Sequence, residues 1–179
     1  VGGPACGGVA RVEGAGPVTL SQLRRLFGDA AITVRPVLDP TGVAPVDAYE
    51  IPDRLLTAQH LLSPADCFPF GVSLSPGMDL DHTIPYAPLA EGGPPEQTGI
   101  GRLGFLVRYH HRVRTHGRWR IVQPEPGTYV WRSPTGYVFV VTHQGTFPVG
   151  HGPFAVALWH TALRHAHDPA EPEGYDLTA

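Results

Sequence analysis

The sequence predicts an α+β fold on three observations. Apolar residues recur at helical spacing in several separate segments of the chain. Short apolar runs bounded by Pro and Gly lie between these segments and indicate β-strands. Hydrophobic residues make up 42% of the 179 residues and charged residues only 16%, so the chain can bury a substantial core. We therefore expect a single loop-rich domain that combines helices with antiparallel strands.

The N-terminal half predicts two helices separated by a strand. In "VTLSQLRRLFG", Thr19 or Ser21 can cap a helix that Gly28 then ends. The run "AITVRPVLD" alternates well enough for a strand. A second helix is expected over residues 52–60, because Pro is favoured near the first helical position.

The centre predicts two short extended pieces, a loop and a helix. Pro and Gly break "CFPFGVSLSPGMDLDHTIPY" into a hairpin-like pair of strands, the second of which ends at Asp81 and His82. An irregular loop follows over residues 87–101. Helical spacing returns from Leu103 to about Thr115.

The C-terminal part predicts a small antiparallel β-meander and a final helix. The runs "WRIVQ", "TYVWRS" and "GYVFVVTH" are separated by turns that contain Pro and Gly. In the helix "PFAVALWHTALRHAHD" we expect Phe154, Leu158 and Leu163 to pack on the body of the domain.

We divide the chain into three parts: a Gly-rich arm or linker (1–17), a central domain (18–150), and a C-terminal helix with an acidic tail (151–179). The linker-like start without Met indicates a fragment of a longer protein with an N-terminal domain. No signal peptide or membrane span is recognisable, so we expect a cytoplasmic protein without a membrane partner.

Charge is distributed unevenly along the chain. The net charge is −3, yet residues 97–124 contain no acidic residue. A basic stretch on an acidic protein indicates a directed anionic partner, although a solvated helix face is the alternative. The stretch contains six arginines: Arg102, Arg108, Arg112, Arg114, Arg118 and Arg120.

An acidic and two basic side chains form the candidate site. If Asp81 at a strand end and His111 on the following helix converge, they can bind one divalent cation and leave its other positions to water and phosphate oxygens. Successive strand residues point to opposite faces. His82 is then free to take a proton from water. A capping or surface histidine and a turn aspartate are the alternatives.

The segments "LDHTIPY", "RYHHRVRTHGRW" and "PGTYVWRSPTGYVF" resemble the HNH endonuclease domain of a large bacterial repeat family, in which the domain follows an N-terminal helical region. The resemblance covers about residues 13–146. It implies a ββα-metal core, also called the His-Me finger, with flanking helices and the meander. It also implies that His82 is the general base and that Asp81 and His111 hold one Mg²⁺ or Mn²⁺ ion.

Two departures from that family are visible. The paired cysteines that hold a structural zinc in many relatives correspond here to Asp66, Gly71, Met78 and Val107, so we expect no structural zinc and a core held by burial instead. The family's Asn, which orients the general base, corresponds to Arg102. We expect that core to include Met78, Leu106, Val107, Trp119, Trp131 and the helix near Leu55.

The sequence therefore predicts a divalent-metal-dependent HNH endonuclease that hydrolyses DNA rather than RNA. The alternative is a catalytically inactive ββα scaffold that only binds nucleic acid. We expect His110, Trp119 and Trp131 to be structural. The expected backbone-binding residues are Arg108, Arg112, Arg114 and Arg118.

Overall fold

The computed structural model describes residues 9–12, 16–31, 33, 39–40, 42–74 and 77–167. This part of the chain is a mixed α+β structure, which confirms the predicted fold class. Its helices are α1 (Leu20–Phe27), α2 (Asp53–Leu62), α3 (Arg108–His116) and α4 (Pro153–His167). Its strands are β1 (Val9–Val12), β2 (Gly16–Thr19), β3 (Asp79–His82), β4 (Leu103–Leu106), β5 (Arg120–Glu125), β6 (Thr128–Arg132), β7 (Val138–Thr142) and β8 (Gly145–Gly150).

The first two helices form where the sequence predicts them. Thr19 caps α1 in a capping box with Gln22, and Gly28 ends it with a positive φ of 48°. Helix α2 follows Pro52 in the predicted place. Strands β1 and β2 pair antiparallel within the expected arm. Of the strand predicted at residues 31–39, only residues 31, 33 and 39 are described, and the acidic tail from residue 168 lies outside the described residues.

The centre differs from the predicted hairpin. Strand β3 pairs antiparallel with β4, so Asp81 lies opposite Gly104, and the segment before β3 is not its partner. The prediction that the helix begins at Leu103 was also wrong, since α3 begins at Arg108. All four residues of β4 are buried, and a short, fully apolar run fits a buried strand as well as a helix. Helix α3 therefore packs on the β3–β4 pair.

The meander is confirmed and has one strand more than predicted. Strands β5, β6, β7 and β8 form a sheet in chain order. Gly127 and Gly136 occupy positive-φ turn positions between the first three strands. The sequence of β8 contains Pro148 between terminal glycines. Because Pro and Gly are uncommon inside strands, the sequence did not predict this strand at the sheet edge.

Helix α4 packs on the meander through small residues. Ala155, Ala162 and Ala166 are buried together with Trp159 against the valines of β5, β6 and β7. The prediction that Phe154 packs on the body was wrong, because Phe154 is 73% exposed. The alanine face allows a closer approach to the sheet than a phenylalanine face would.

A second core joins the meander to the segment before β3. Trp131 is fully buried, and its indole N–H donates to the Cys67 carbonyl at 2.6 Å. The Tyr129 hydroxyl accepts from Gln59 of α2 at 3.0 Å. The first of these bonds ties Cys67 to β6, and the second ties α2 to the same strand. Among the described residues, no helix has the length and apolar character needed to cross a bilayer.

Candidate functional site

The candidate site lies where β3 meets α3. Asp81 and His82 end β3, and His111 and Arg114 lie on α3. These residues surround a cavity of about 450 Å³ that is open to solvent. Its remaining lining residues are Tyr49, Pro85, Tyr86, Thr115 and Trp119. The structure thus brings together the three residues that the sequence marked as a catalytic set.

His111 lies between two carboxylates of the same strand. Its Nδ1 is 2.9 Å from Asp79 Oδ2, and its Nε2 is 3.3 Å from Asp81 Oδ2. Asp79 and Asp81 share one face of β3 because side chains alternate along a strand. An ionised carboxylate only accepts hydrogen bonds, so His111 Nδ1–H donates to Asp79. In the neutral ring, the Nε2 lone pair then faces Asp81.

The close approach of His111 Nε2 to Asp81 Oδ2 requires a positive charge nearby. A lone pair and a carboxylate oxygen repel each other unless a proton or a cation lies near both. Arg114 supplies such a charge, because its guanidinium contacts Asp81 Oδ2 and donates to the Thr83 carbonyl at 3.1 Å. Within the described part of the chain, Asp81 Oδ1 accepts no hydrogen bond and joins no ion pair. This oxygen is available to a further ligand.

His82 is held in one tautomer by a hydrogen-bonded chain. Its Nε2 is 2.7 Å from Thr98 Oγ1, and the Thr98 hydroxyl donates its proton to the Ala48 carbonyl at 2.5 Å. Because that proton is already used, Thr98 Oγ1 accepts a proton from His82 Nε2. In the neutral ring the base nitrogen is therefore Nδ1.

Burial keeps the His82 ring neutral. Only 5% of the residue is exposed, and its ring stacks on Tyr49 at a centroid distance of 5.6 Å and contacts Tyr86 at 5.7 Å. Burial lowers the pKa of His82 from its ordinary value, while the negative charge of Asp81 opposes this shift and Arg114 adds to it. A neutral imidazole in a cavity wall is the form that accepts protons.

The arginines expected on a DNA-binding surface are in different environments. Arg108 is exposed and pairs with Asp79 at 3.0 Å, whereas Arg114 is half-buried against Asp81. Arg112 and Arg118 are exposed. Arg114 therefore takes part in the charge balance of the cavity itself, in addition to any role in phosphate binding.

Of the residues expected to be structural, Trp131 lies in the core, and Trp119 and His110 are partly buried beside it. Trp119 packs partly buried against the cluster that contains the fully buried Trp131. His110 Nδ1 is 2.5 Å from Asp66, and its ring stacks on Phe68 at a centroid distance of 4.3 Å. His110 points away from the site even though it neighbours His111.

The contacts that orient the two histidines of the site were not predicted. Asp79 orients His111. The "DLD" spacing, which puts both carboxylates on one strand face, could have predicted this contact. Thr98 orients His82; with Arg102 in place of the family's orienting Asn, the sequence left this task to a backbone carbonyl or another, unnamed side chain. Thr98 comes from a loop 16 residues after His82, and no local pattern predicts that contact.

The positions that correspond to the family's zinc cysteines are occupied by other residue types. Asp66 is buried and accepts from His110 and from the Phe68 amide at 3.1 Å. A Cβ on Gly71 would lie only 2.8 Å from the Asp66 carboxyl carbon, so these two positions are adjacent. Met78 is buried. Burial raises the pKa of the Cys67 thiol well above its ordinary value, which disfavours a thiolate ligand.

Comparisons with known proteins give relatives without a described activity. The chain is 34% identical over 98 residues to the uncharacterized protein Rv3776 of Mycobacterium tuberculosis, a match that covers 48% of this chain and 18% of that protein. It is 38% identical over 77 residues to the uncharacterized proteins Rv2100 and MT2160 of the same species, covering 41% of this chain and 12% of each. The chain thus spans less than a fifth of each of these relatives. No family model and no solved structure matches it.

Proposed function

We propose that this chain is a divalent-metal-dependent endonuclease domain of the HNH type, which hydrolyses phosphodiester bonds of DNA. The observation that carries the proposal is the tautomer of His82, with Nε2 bonded to Thr98 and Nδ1 left as the base. A neutral base beside a carboxylate–histidine pair is the smallest set of groups that metal-assisted hydrolysis needs. The strand–strand–helix order of β3, β4 and α3 supports the same conclusion.

The donor set at the cavity fits a hard divalent cation. Asp81 and His111 would hold it, since Mg²⁺ and Mn²⁺ accept one or two protein ligands and complete their coordination with water and phosphate oxygens. Among the described residues there is no cluster of three or more His, Cys, Asp or Glu side chains arranged for a metal, and the proposed site uses Asp81 and His111 as its only protein ligands. When bound, the ion would neutralise charge on the phosphate and on the leaving oxygen.

His82 and Arg114 supply the chemistry that belongs to the chain itself. His82 Nδ1 takes a proton from the attacking water, and the resulting imidazolium keeps its Nε2–H bond to Thr98. The carboxylate of neighbouring Asp81 favours that positive charge. Arg114 holds the Asp81 carboxylate in place and lines the cavity that a phosphate would enter.

The first test is the substitution His82→Ala. A positioned general base contributes ~10²–10⁴ in rate, so the variant should lose visible nicking of supercoiled plasmid in Mg²⁺ or Mn²⁺ while it still binds DNA. His143→Ala, which removes an exposed histidine in the turn between β7 and β8, is the matched control and should cut like the parent. A His82→Ala protein that nicks at the parental rate contradicts the proposal.

A catalytically inactive nucleic-acid-binding scaffold is the second candidate. The contact of Arg114 with Asp81 Oδ2 favours it, because an arginine that neutralises the carboxylate competes with a cation for the same oxygen. Plasmid nicking with and without a chelator separates the two candidates. DNA binding that weakens with salt, without any metal-dependent cutting, would support the scaffold.

A further inference from the structure

A second groove adjoins the candidate site and contains a group of arginines. Its volume is about 570 Å³, and Arg118, Arg120 and Arg132 line it together with Ser133. It shares Trp119 and two residues of α3 with the cavity around His82. The two depressions therefore lie side by side at the C-terminal end of α3 and the start of β5.

Two of these arginines face each other without an acidic partner. Arg120 of β5 lies directly opposite Arg132 of β6 in the antiparallel register. Side chains at such positions have Cβ atoms roughly 4.5–5.5 Å apart, and like charges there destabilise the sheet. Within the described part of the chain, neither arginine nor Arg118 forms an ion pair, and no Asp or Glu lines the groove. An external anion would offset this repulsion.

Arg118 has a backbone conformation that is unfavourable for its side chain. Its φ is 58°, in the left-handed region that favours glycine, and it follows Gly117 in the turn between α3 and β5. A non-glycine residue in this region is strained, because its Cβ comes too close to the backbone carbonyl. The turn therefore places an exposed charge at the groove at the expense of local stability, which indicates a use for that charge.

We propose that this groove binds the sugar–phosphate backbone of the DNA strand that enters the candidate site, beyond the phosphate that is cut. The inference rests on the proposed nuclease function. A guanidinium group can bind two oxygens of one phosphate at once, and the groove is open to solvent and adjoins the cavity at His82. Several guanidinium groups along an open groove fit a polymer with successive phosphates better than a single small anion.

Binding of a fluorescent DNA duplex in chelator, followed by anisotropy over a range of salt, tests this surface separately from cutting. The double variant Arg120→Ala/Arg132→Ala should bind roughly tenfold more weakly, and its plot of log affinity against log salt should be shallower by about one for each phosphate that it no longer neutralises. Arg54→Ala removes an exposed arginine of α2 outside both depressions; it is the control for loss of a surface charge elsewhere and should change neither quantity.

Arg118→Gly provides a variant that folds more easily than the parent. It removes the charge and relieves the left-handed backbone, so we expect equal or higher thermal stability together with weaker duplex binding. The groove assignment is overturned if Arg118→Gly and the double variant bind the duplex with the parental affinity and salt dependence. It is also overturned if inorganic phosphate binds to the parent but the duplex does not.

The same measurements separate this inference from the nuclease proposal. If the parent binds the duplex through these arginines but never nicks plasmid in Mg²⁺ or Mn²⁺, the groove stands and the nuclease proposal fails. If the parent nicks plasmid and the groove variants bind and nick equally well, the nuclease proposal stands and the groove assignment fails.

Discussion

At the scale of single residues, the site depends on which nitrogen of each histidine carries the proton. Asp79 fixes the proton of His111 on Nδ1, and Thr98 fixes that of His82 on Nε2. The two rings are therefore prepared for different tasks, one as a ligand through Nε2 and the other as a base through Nδ1. Neither task follows from the residue types alone.

The orienting role of Asp79 can be measured through metal affinity. A carboxylate that holds a ligating histidine typically contributes 10–100-fold to affinity, so Asp79→Ala should weaken Mn²⁺ binding by about that factor while leaving both proposed ligands in place. Calorimetric titration of Mn²⁺ checks this without any assay of cutting. Asp53→Ala on the exposed start of α2 is the control. Equal Mn²⁺ affinity in Asp79→Ala and the parent would exclude the orienting role.

The sequence predicted part of this residue-scale arrangement. Alternation along β3 put Asp81 and His82 on opposite faces, and helical spacing put His111 and Arg114 on α3. The contact between Arg114 and Asp81 was not predicted, because it depends on the distance between β3 and α3. From the sequence alone, a basic side chain that binds DNA cannot be distinguished from one that pairs with a neighbouring carboxylate.

At the scale of elements, the position of β4 controls the geometry of the site. It pairs with β3 on one edge and leads through Val107 directly into α3. Gly104, opposite Asp81, lies close to the second core: a Cβ there would be 2.7 Å from Cys67 Sγ and 3.0 Å from Tyr129 Cε1. The strand is thus held at a distance that only glycine allows.

The variant Gly104→Ala should therefore destabilise the domain. Overpacking of a buried site costs about 1–3 kcal/mol, and the neighbouring Cys67 and Tyr129 are buried and leave little room for adjustment. Chemical denaturation followed by tryptophan fluorescence gives the free energy of unfolding. Gly101→Ala is the control, because its Cβ would meet only Pro126 at an ordinary 3.9 Å. Parental stability for Gly104→Ala would show that the strand can move away from the core.

Short, fully buried segments limited prediction at this scale. Helices α1, α2 and α4 have caps or long periodic patterns and were predicted in place. The residues of β4 satisfy helical spacing and a buried strand equally well, and the choice is made by pairing with β3, a strand that is distant in the sequence. Sequence patterns record local preference, whereas this strand is selected by a distant partner.

At the scale of the whole molecule, the meander and α4 form one core, and residues of α3 and the segment before β3 close a second against its other side. The mixed fold class was predicted because it depends only on the kinds of element present. Their arrangement was not, because the hydrogen bond from Trp131 to Cys67 joins segments 64 residues apart.

Two ionisable groups in this second core predict a loss of stability in alkali. Burial raises the pKa of the Cys67 thiol and of the Tyr129 hydroxyl above their ordinary values of about 8.5 and 10. The unfolded chain ionises first, so stability is complete below pH ~8.5 and falls as the pH rises, by up to about 1.4 kcal/mol per pH unit for each group.

Denaturant titrations between about pH 7 and 10.5 check this linkage. The parent should lose stability from about pH 8.5, whereas Cys67→Ala should have a lower but flatter stability up to about pH 10. A free energy of unfolding in the parent that stays constant up to about pH 10 would show that the thiol ionises as easily in the folded protein as in the unfolded chain.

The bridge between Val46 and Thr98 has a consequence for how this domain can be shortened. The amide and carbonyl of Thr98 pair with those of Val46, and its hydroxyl reaches the Ala48 carbonyl. A truncated protein that starts at α2 would retain β3, β4 and α3 in full. It would still lose the contacts with Val46 and Ala48 that hold Thr98 against His82. The smallest working unit therefore has its boundary upstream of residue 46, well outside the elements that carry the chemistry.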